Sequence, residues 1–413
     1  MKPGIMNLVA AAGLSVSLTP GLATAQAAVE FDSGSGGTSA TPPTEGPVSF
    51  DFRNNSNNPS GNAFQNVTAP TPSVTFEIVD QAVANGTNFT SDGAMIGGTF
   101  NGDPHLSVMD FFGGGEDGYY TSLPAHAAST GIDVNTNYAV LMEMRTGGLA
   151  AAGTPATGRF RVADLDISFS HPVSNPVLHL QALGGLSGGK SFAGGFELIQ
   201  GASNGATGLQ QLSSNGSLVT SGSDVDHNGT GGFGTNCNGS PSAACGSVEV
   251  TGDAVRSVRL RMYLASNDAQ NWPANGAEGI FIGVSGEISD MTSNFANVPG
   301  TVFPGQTYSG LQATCNNSGP NTSRGAFCDL FASEGQVSDI ICDAPDTDVP
   351  PGADVTCTFD YAPPLAGSGV STVTFDSRTG AFNDRVGGDV GTAGNNPGGA
   401  SSVVFDDTVT ALS

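Results

Sequence analysis

Positive charge is what this chain has least of. Its 413 residues carry 12 Lys and Arg against 37 Asp and Glu, a formal net charge of −25, and Lys2 and Lys190 are its only lysines. A surface so acidic repels nucleic acid and anionic membranes, which are held through basic side chains. It suits divalent cations or high salt instead. Long apolar runs are also missing: LVAAAGLSVSL (8–18) is too short to span a bilayer, so no membrane-spanning segment is expected in the mature chain. Chemistry-bearing spacings are scarce as well. No C-x-x-C occurs and no histidine follows His227, which argues against a zinc framework for the later cysteines. His105, His126, His171, His179 and His227 show no H-E-x-x-H or other ligand spacing. Two matches to G-x-S-x-G, Gly185–Gly189 and Gly201–Gly205, are what chance supplies in a chain with 60 glycines, and neither opens a helix.

What is present begins with an export signature. Lys2, the short apolar run and Ala25-Gln26-Ala27 together read as a signal peptide cleaved after about Ala27. A secreted or cell-surface location follows, where disulfides and calcium are the available staples.

The mature chain reads as all-β. In RSVRLRMYL, Val258, Leu260, Met262 and Leu264 alternate with Arg259, Arg261 and Tyr263, the period of a strand with one buried face. Val74, Phe76 and Ile78 repeat the pattern. In RFRVADLDISFS the phase slips between Phe160/Val162 and Leu165/Ile167/Phe169, so a β-bulge is expected near Ala163. Residues 28–47 read as a flexible leader, 48–288 as one large antiparallel sandwich of jelly-roll or lectin-like type, 289–299 as a linker, and 300–413 as a smaller immunoglobulin-like sandwich. The last segment, VVFDDTVTAL, follows a glycine-rich stretch. It reads either as the closing strand of its own sandwich or as a strand exchanged with a neighbouring copy.

Between residues 300 and 385 the motifs Asn317-x-Gly319-Pro320 after one strand and Pro351-Gly352-Ala353 before a Thr-Cys-Thr strand stand out. This segment resembles the extracellular immunoglobulin-like repeat of bacterial surface proteins called the DUF11 class. The resemblance implies a structural or adhesive surface role and transfers no catalytic residue.

Six cysteines divide two and four between the halves. Neighbour pairing predicts Cys237–Cys245, Cys315–Cys328 and Cys342–Cys357, with crossed pairings among the last four left open. The spacing Asp224-x-Asp226-x-Asn228-Gly229 predicts a calcium loop in which alternate oxygens meet one cation, although Thr235 stands where a bidentate Glu would close it. A second acidic loop offers Asp110, Glu116 and Asp117 as metal ligands. The same loop carries Tyr119 and Tyr120, and Trp272 lies in another. These are candidates for stacking on an extracellular glycan. Arg159, Arg161, Arg256, Arg259 and Arg261 gather on two expected strands, where cross-strand pairing with acids is the simpler reading and a docking patch for an acidic glycan or a second copy the sharper one.

These features predict a secreted or cell-surface structural or adhesive protein, calcium-assisted, with glycan or neighbouring copies as partners. The alternative is a glycan-binding module or a polysaccharide-active enzyme of sandwich fold. A groove lined by aromatics and two convergent carboxylates would favour the alternative, because paired acids come from different strands and are invisible to sequence spacing.

Overall fold

A computed structural model describes residues 28–34, 42–55, 64–65, 73–83, 89–98, 103–123, 128–129, 132–187, 189–229, 232–252, 255–287, 291–317, 323–343, 347–350, 352–380, 396–397 and 401–405. The signal peptide expected over 1–27 lies outside them. The architecture is all-β, and among the described residues no helix is long and apolar enough to cross a membrane.

The strands between Ala28 and Glu287 form one curled sheet of 16 strands. Its spine is the strand Pro155–Leu183. The first half of the spine pairs antiparallel with Val255–Asn271 on one side and Ser73–Val79 on the other. The second half pairs with Ala244–Thr251 and Ala277–Glu287. One chain segment therefore serves both layers, and the sheet folds back on itself around its main apolar core, with a smaller cluster that includes Met109, Tyr120, Leu141 and Phe281 on its outer face. The alternation read from the sequence is the alternation of burial: Val258, Leu260, Met262 and Leu264 are buried against Val74, Phe76, Leu165 and Ile167. The slip near Ala163 is a bulge, since Met262 pairs with Ala163 and Tyr263 with Arg161, leaving Val162 unopposed.

Two expectations are corrected here. Ala28–Gly34, assigned to a leader with nothing to bury, is a strand between Val48–Asn55 and Ala277–Glu287. Its backbone fills a gap in the sheet and satisfies donors and acceptors on both neighbours. Met291–Ala296, assigned to a linker, is a strand paired with Tyr308–Asn317. The reason is Phe295, which sits against Phe359 and Phe375 at centroid distances of 6.1 and 6.0 Å.

From Met291 onward the strands build two facing sheets. One holds Met291–Ala296, Tyr308–Asn317, Asp354–Ala362 and Gln336–Cys342. The other is led by Ser323–Ala332, Thr372–Gly380 and Ser401–Phe405. Between them lies a second core, which includes Leu311, Leu330, Phe359, Tyr361 and Phe375. All six cysteines are paired as neighbours, Cys237–Cys245, Cys315–Cys328 and Cys342–Cys357. The second bridge ties one sheet of the smaller sandwich to the other, and the third staples adjacent strands of one sheet. Ser401–Phe405 closes its own sandwich, antiparallel to Thr372–Gly380 and parallel to Thr301–Val302.

Candidate functional site

The strands Tyr138–Arg145 and Ala277–Glu287 pair so that Gly279 faces Glu143, Ala277 faces Arg145 and Phe281 faces Leu141. Because side chains alternate, Val140, Met142, Ile280 and Ile282 point into the main core while Leu141, Glu143, Ala277 and Gly279 form the outer face. Ala277 and Gly279 are too small to fill that face. The result is a cleft of about 290 Å³ floored by these strands and by Gly184 and Gly185. Its walls include Phe112, Leu186, Thr235 and Asn236, and Asp103 closes one end.

Both walls are pinned. Phe112 ends a single 3-10 turn, Met109–Phe112, and its ring lies 5.0 Å from that of Phe281 beneath it. The loop that carries it is held by the buried Tyr120, whose hydroxyl donates to Gln181 Oε1 at 3.2 Å, and by Thr121, whose N–H donates to Ser247 Oγ at 2.9 Å. Ser247 Oγ lies 2.8 Å from His179 Nδ1, and His179 Nε2 lies 2.6 Å from Ser285 Oγ. Complete burial pushes the His179 pKa down to about 3, so this imidazole is neutral and works as a clamp between two hydroxyls. On the other wall the Cys237–Cys245 bridge fixes the loop bearing Thr235 and Asn236, and Asn215 Nδ2 donates to the Cys237 and Ala243 carbonyls at 2.7 Å each.

Asp103 and Glu143 converge at one end of the cleft. A Cβ built on Gly98 would lie 2.6 Å from Asp103 Oδ2 and 3.2 Å from Glu143 Oε2, so only glycine leaves room for both. Asp103 is 8 % exposed and Glu143 3 %. Arg145 Nη1 donates to Glu143 Oε1 at 2.5 Å. Asp103 has no such partner among the described residues, and its pKa is raised first by burial and then by the neighbouring Glu143. On the opposite face of the floor, fully buried Glu278 accepts from Gly194 N–H at 3.0 Å, and burial pushes its pKa up to about 8.

The residues singled out from the sequence are placed differently. Asp224 and Asp226 lie on the strand Asp224–His227, not in a loop, and share one face. Arg159 stands between them, its Nη1 2.8 Å from Asp224 Oδ1 and its Nε 3.2 Å from Asp226 Oδ1. Asn228 Nδ2 donates to Gly216 O at 2.7 Å. In the second acidic loop, Asp110 Oδ1 accepts from Gly115 N–H at 2.6 Å and Asp117 Oδ1 from Val134 N–H at 2.9 Å, while Glu116 bonds the half-buried Tyr119. These carboxylates tie the loop to itself. Among the described residues no group of three or more His, Cys, Asp or Glu could hold a metal ion.

Of the aromatic candidates, Tyr120 is fully buried and Trp272 is 4 % exposed, so neither is open to a sugar. Trp272 donates to Pro155 O at 3.2 Å and packs on Phe160 and Phe192, sealing the core. The exposed rings of that surface are Phe111 and Phe112. The expected arginine pairing is present: Arg259 bonds Asp166, Arg161 and Arg261 both reach Asp164, and Arg159 covers the Tyr263 ring at 3.7 Å.

Spacing missed Asp103, Glu143 and Asn236. A signal was available for one: in YAVLMEMR, Glu143 and Arg145 interrupt an apolar strand on the same parity, which marks a buried ion pair on the outer face.

No family model and no curated protein matches the chain. Among solved structures it is similar to the N-terminal domain of a Streptococcus gordonii adhesin, with 10% identity over 93% of this chain and 91% of that one and a TM-score of 0.31. It is also similar to a CARDB domain from Pyrococcus furiosus in complex with di-metal ions, with 14% identity over 29% of this chain and 90% of that one and a TM-score of 0.21. Likenesses this slight carry no argument, and the all-β architecture rests on the chain's own strands.

Proposed function

We propose that this chain is a secreted or cell-surface adhesive protein whose large sandwich recognises an extracellular saccharide in the Asp103–Glu143 cleft. The observation that carries the reading is the convergence of two carboxyl groups at one end of a cleft walled by the exposed Phe112 ring. Rings stack on the apolar face of a sugar while carboxylates and amides take its hydroxyls. Full pairing of the six cysteines suits an oxidising compartment, and the smaller sandwich, with its resemblance to a surface repeat, suits a spacer.

The test is retention of the full-length protein on immobilised neutral, amino and acidic polysaccharides. Phe112→Ala is expected to weaken retention about 5-fold, since a stacking contact is worth about 1 kcal/mol. Retention on none of them, or equal retention of Phe112→Ala, overturns the reading. A hydrolytic reading uses the same two carboxyl groups as acid and base. It is selected if reducing ends are released from the bound polysaccharide and Glu143→Gln abolishes their release.

Calcium remains a separate proposal for Asp224, Asp226 and Asn228, where the ion would have to displace the Arg159 guanidinium. A melting temperature that falls on chelation in the wild type but not in Asp226→Ala supports it, and identical curves refute it.

A further inference from the structure

We propose that the cleft selects saccharides bearing a free primary ammonium group, seated between Asp103 and Glu143. This rests on the saccharide reading and narrows it to amino sugars. Three observations lead there. First, the charges there do not cancel: Glu143 is matched by Arg145, whereas Asp103, which lies against the same Gly98, has no cation or hydrogen-bond donor against it among the described residues. Second, Asp103 is more than nine-tenths buried as a residue while lining the cleft, and the charge acting on it is that of the Glu143 carboxylate. A group with that unmet demand is best satisfied by a charged donor, because hydrogen bonds between ions are the strong ones. Third, the exposed Phe112 ring belongs to the wall of the same cleft, and an aromatic face attracts a cation as well as a sugar ring.

The surroundings point the same way. The chain's formal charge of −25 concentrates cations near its surface and repels uronates and sulfated sugars. N-acetylation removes the ligand's charge and adds bulk at the nitrogen, so an acetylated sugar forfeits the ion pair. The selectivity is therefore for amino over N-acetyl sugars, with uronate sugars excluded.

The experiment titrates the full-length protein with a glucosamine tetramer, the same tetramer fully N-acetylated, and a galacturonate tetramer. The glucosamine tetramer is expected to bind at least about 10-fold tighter than its acetylated form, the size of one charge-assisted hydrogen bond. Asp103→Asn is expected to bring the two within about 2-fold while leaving melting unchanged, since no donor in the protein loses its acceptor. As a measurement independent of any variant, raising sodium chloride is expected to weaken the glucosamine tetramer and spare the acetylated one.

Equal affinity for both tetramers, with binding still lost in Phe112→Ala, overturns the ammonium assignment and leaves the saccharide reading standing. Failure of all three tetramers brings down both. A short oligolysine that binds in an Asp103-dependent way while the glucosamine tetramer does not would show an ammonium site that is not a sugar site, and so overturns the proposal too.

Discussion

On the face built by Pro155–Leu183 and Val255–Asn271, Asp164, Asp166, Asp224 and Asp226 each sit against a guanidinium. At the cleft, by contrast, Asp103 sits against a second carboxyl group. A third arrangement lies under the cleft floor, where Glu278 is wholly buried and kept neutral. The difference teaches which acids of a very acidic protein are available. Those of the ladder have spent their charge within the fold, and Glu278 gives its up, so Asp103 is left with charge that a ligand can answer.

The largest expected effect comes from the neutral acid. Burial raises the Glu278 pKa from 4.5 to about 8. Below pH 4.5 folded and unfolded chains both hold the proton. Between 4.5 and 8 only the folded chain holds it, so the stability it provides is complete at low pH and is lost as pH rises. The total is about 5 kcal/mol. Denaturant titrations are expected to show the stability of the wild type relative to Glu278→Gln falling steadily across that range, with His179 contributing equally to both profiles; parallel profiles would contradict this. His179 acts in the opposite sense. Its pKa is pushed down from 6.5 to about 3, so the stability it provides is present above 6.5 and is lost as pH falls toward 3.

Next in size is the clamp on the cleft wall. Replacing Cys237 and Cys245 together with Ser is expected to cost about 2 to 3 kcal/mol and to weaken saccharide retention, because the loop bearing Asn236 is released. Unchanged retention would show that this wall does not position the ligand.

Smaller still is the contrast between two Asp→Asn changes. Asp164 accepts from Arg161 and Arg261 with its carboxylate 5% exposed, so Asp164→Asn is expected to cost about 1 to 2 kcal/mol after allowing for the partly exposed arginines. Asp103→Asn leaves no partner behind and is expected to change stability by less than about 0.5 kcal/mol. Melting temperatures of the two variants measured side by side decide it: equal losses would erase the distinction on which the cleft reading depends.

How much of this was legible in the sequence follows from what is local. Alternation exposed the strands, the phase slip exposed the bulge near Ala163, and short separations exposed the three disulfides. Ala28–Gly34 and Met291–Ala296 were missed because Gly, Ser and Asn near them mimic linker, while their strand state is imposed by neighbours distant in sequence. The Asp224-x-Asp226 spacing is ambiguous by itself, because on a strand it also puts two carboxylates on one face, where Arg159 bridges them. Tyr120 and Phe112 are aromatic residues of one loop and differ in burial, which tertiary packing decides. The Asp103–Glu143 pair joins a loop to a strand across a glycine, and no spacing rule reaches that far.

The measurement closest to the central claim is a crystal structure of the protein soaked with the glucosamine tetramer. A sugar ring is expected against Phe112, with its amino nitrogen within hydrogen-bond reach of Asp103 Oδ2 and Glu143 Oε2. A tetramer seated elsewhere, or one in the cleft with its amino group turned away from both carboxyl groups, would contradict it.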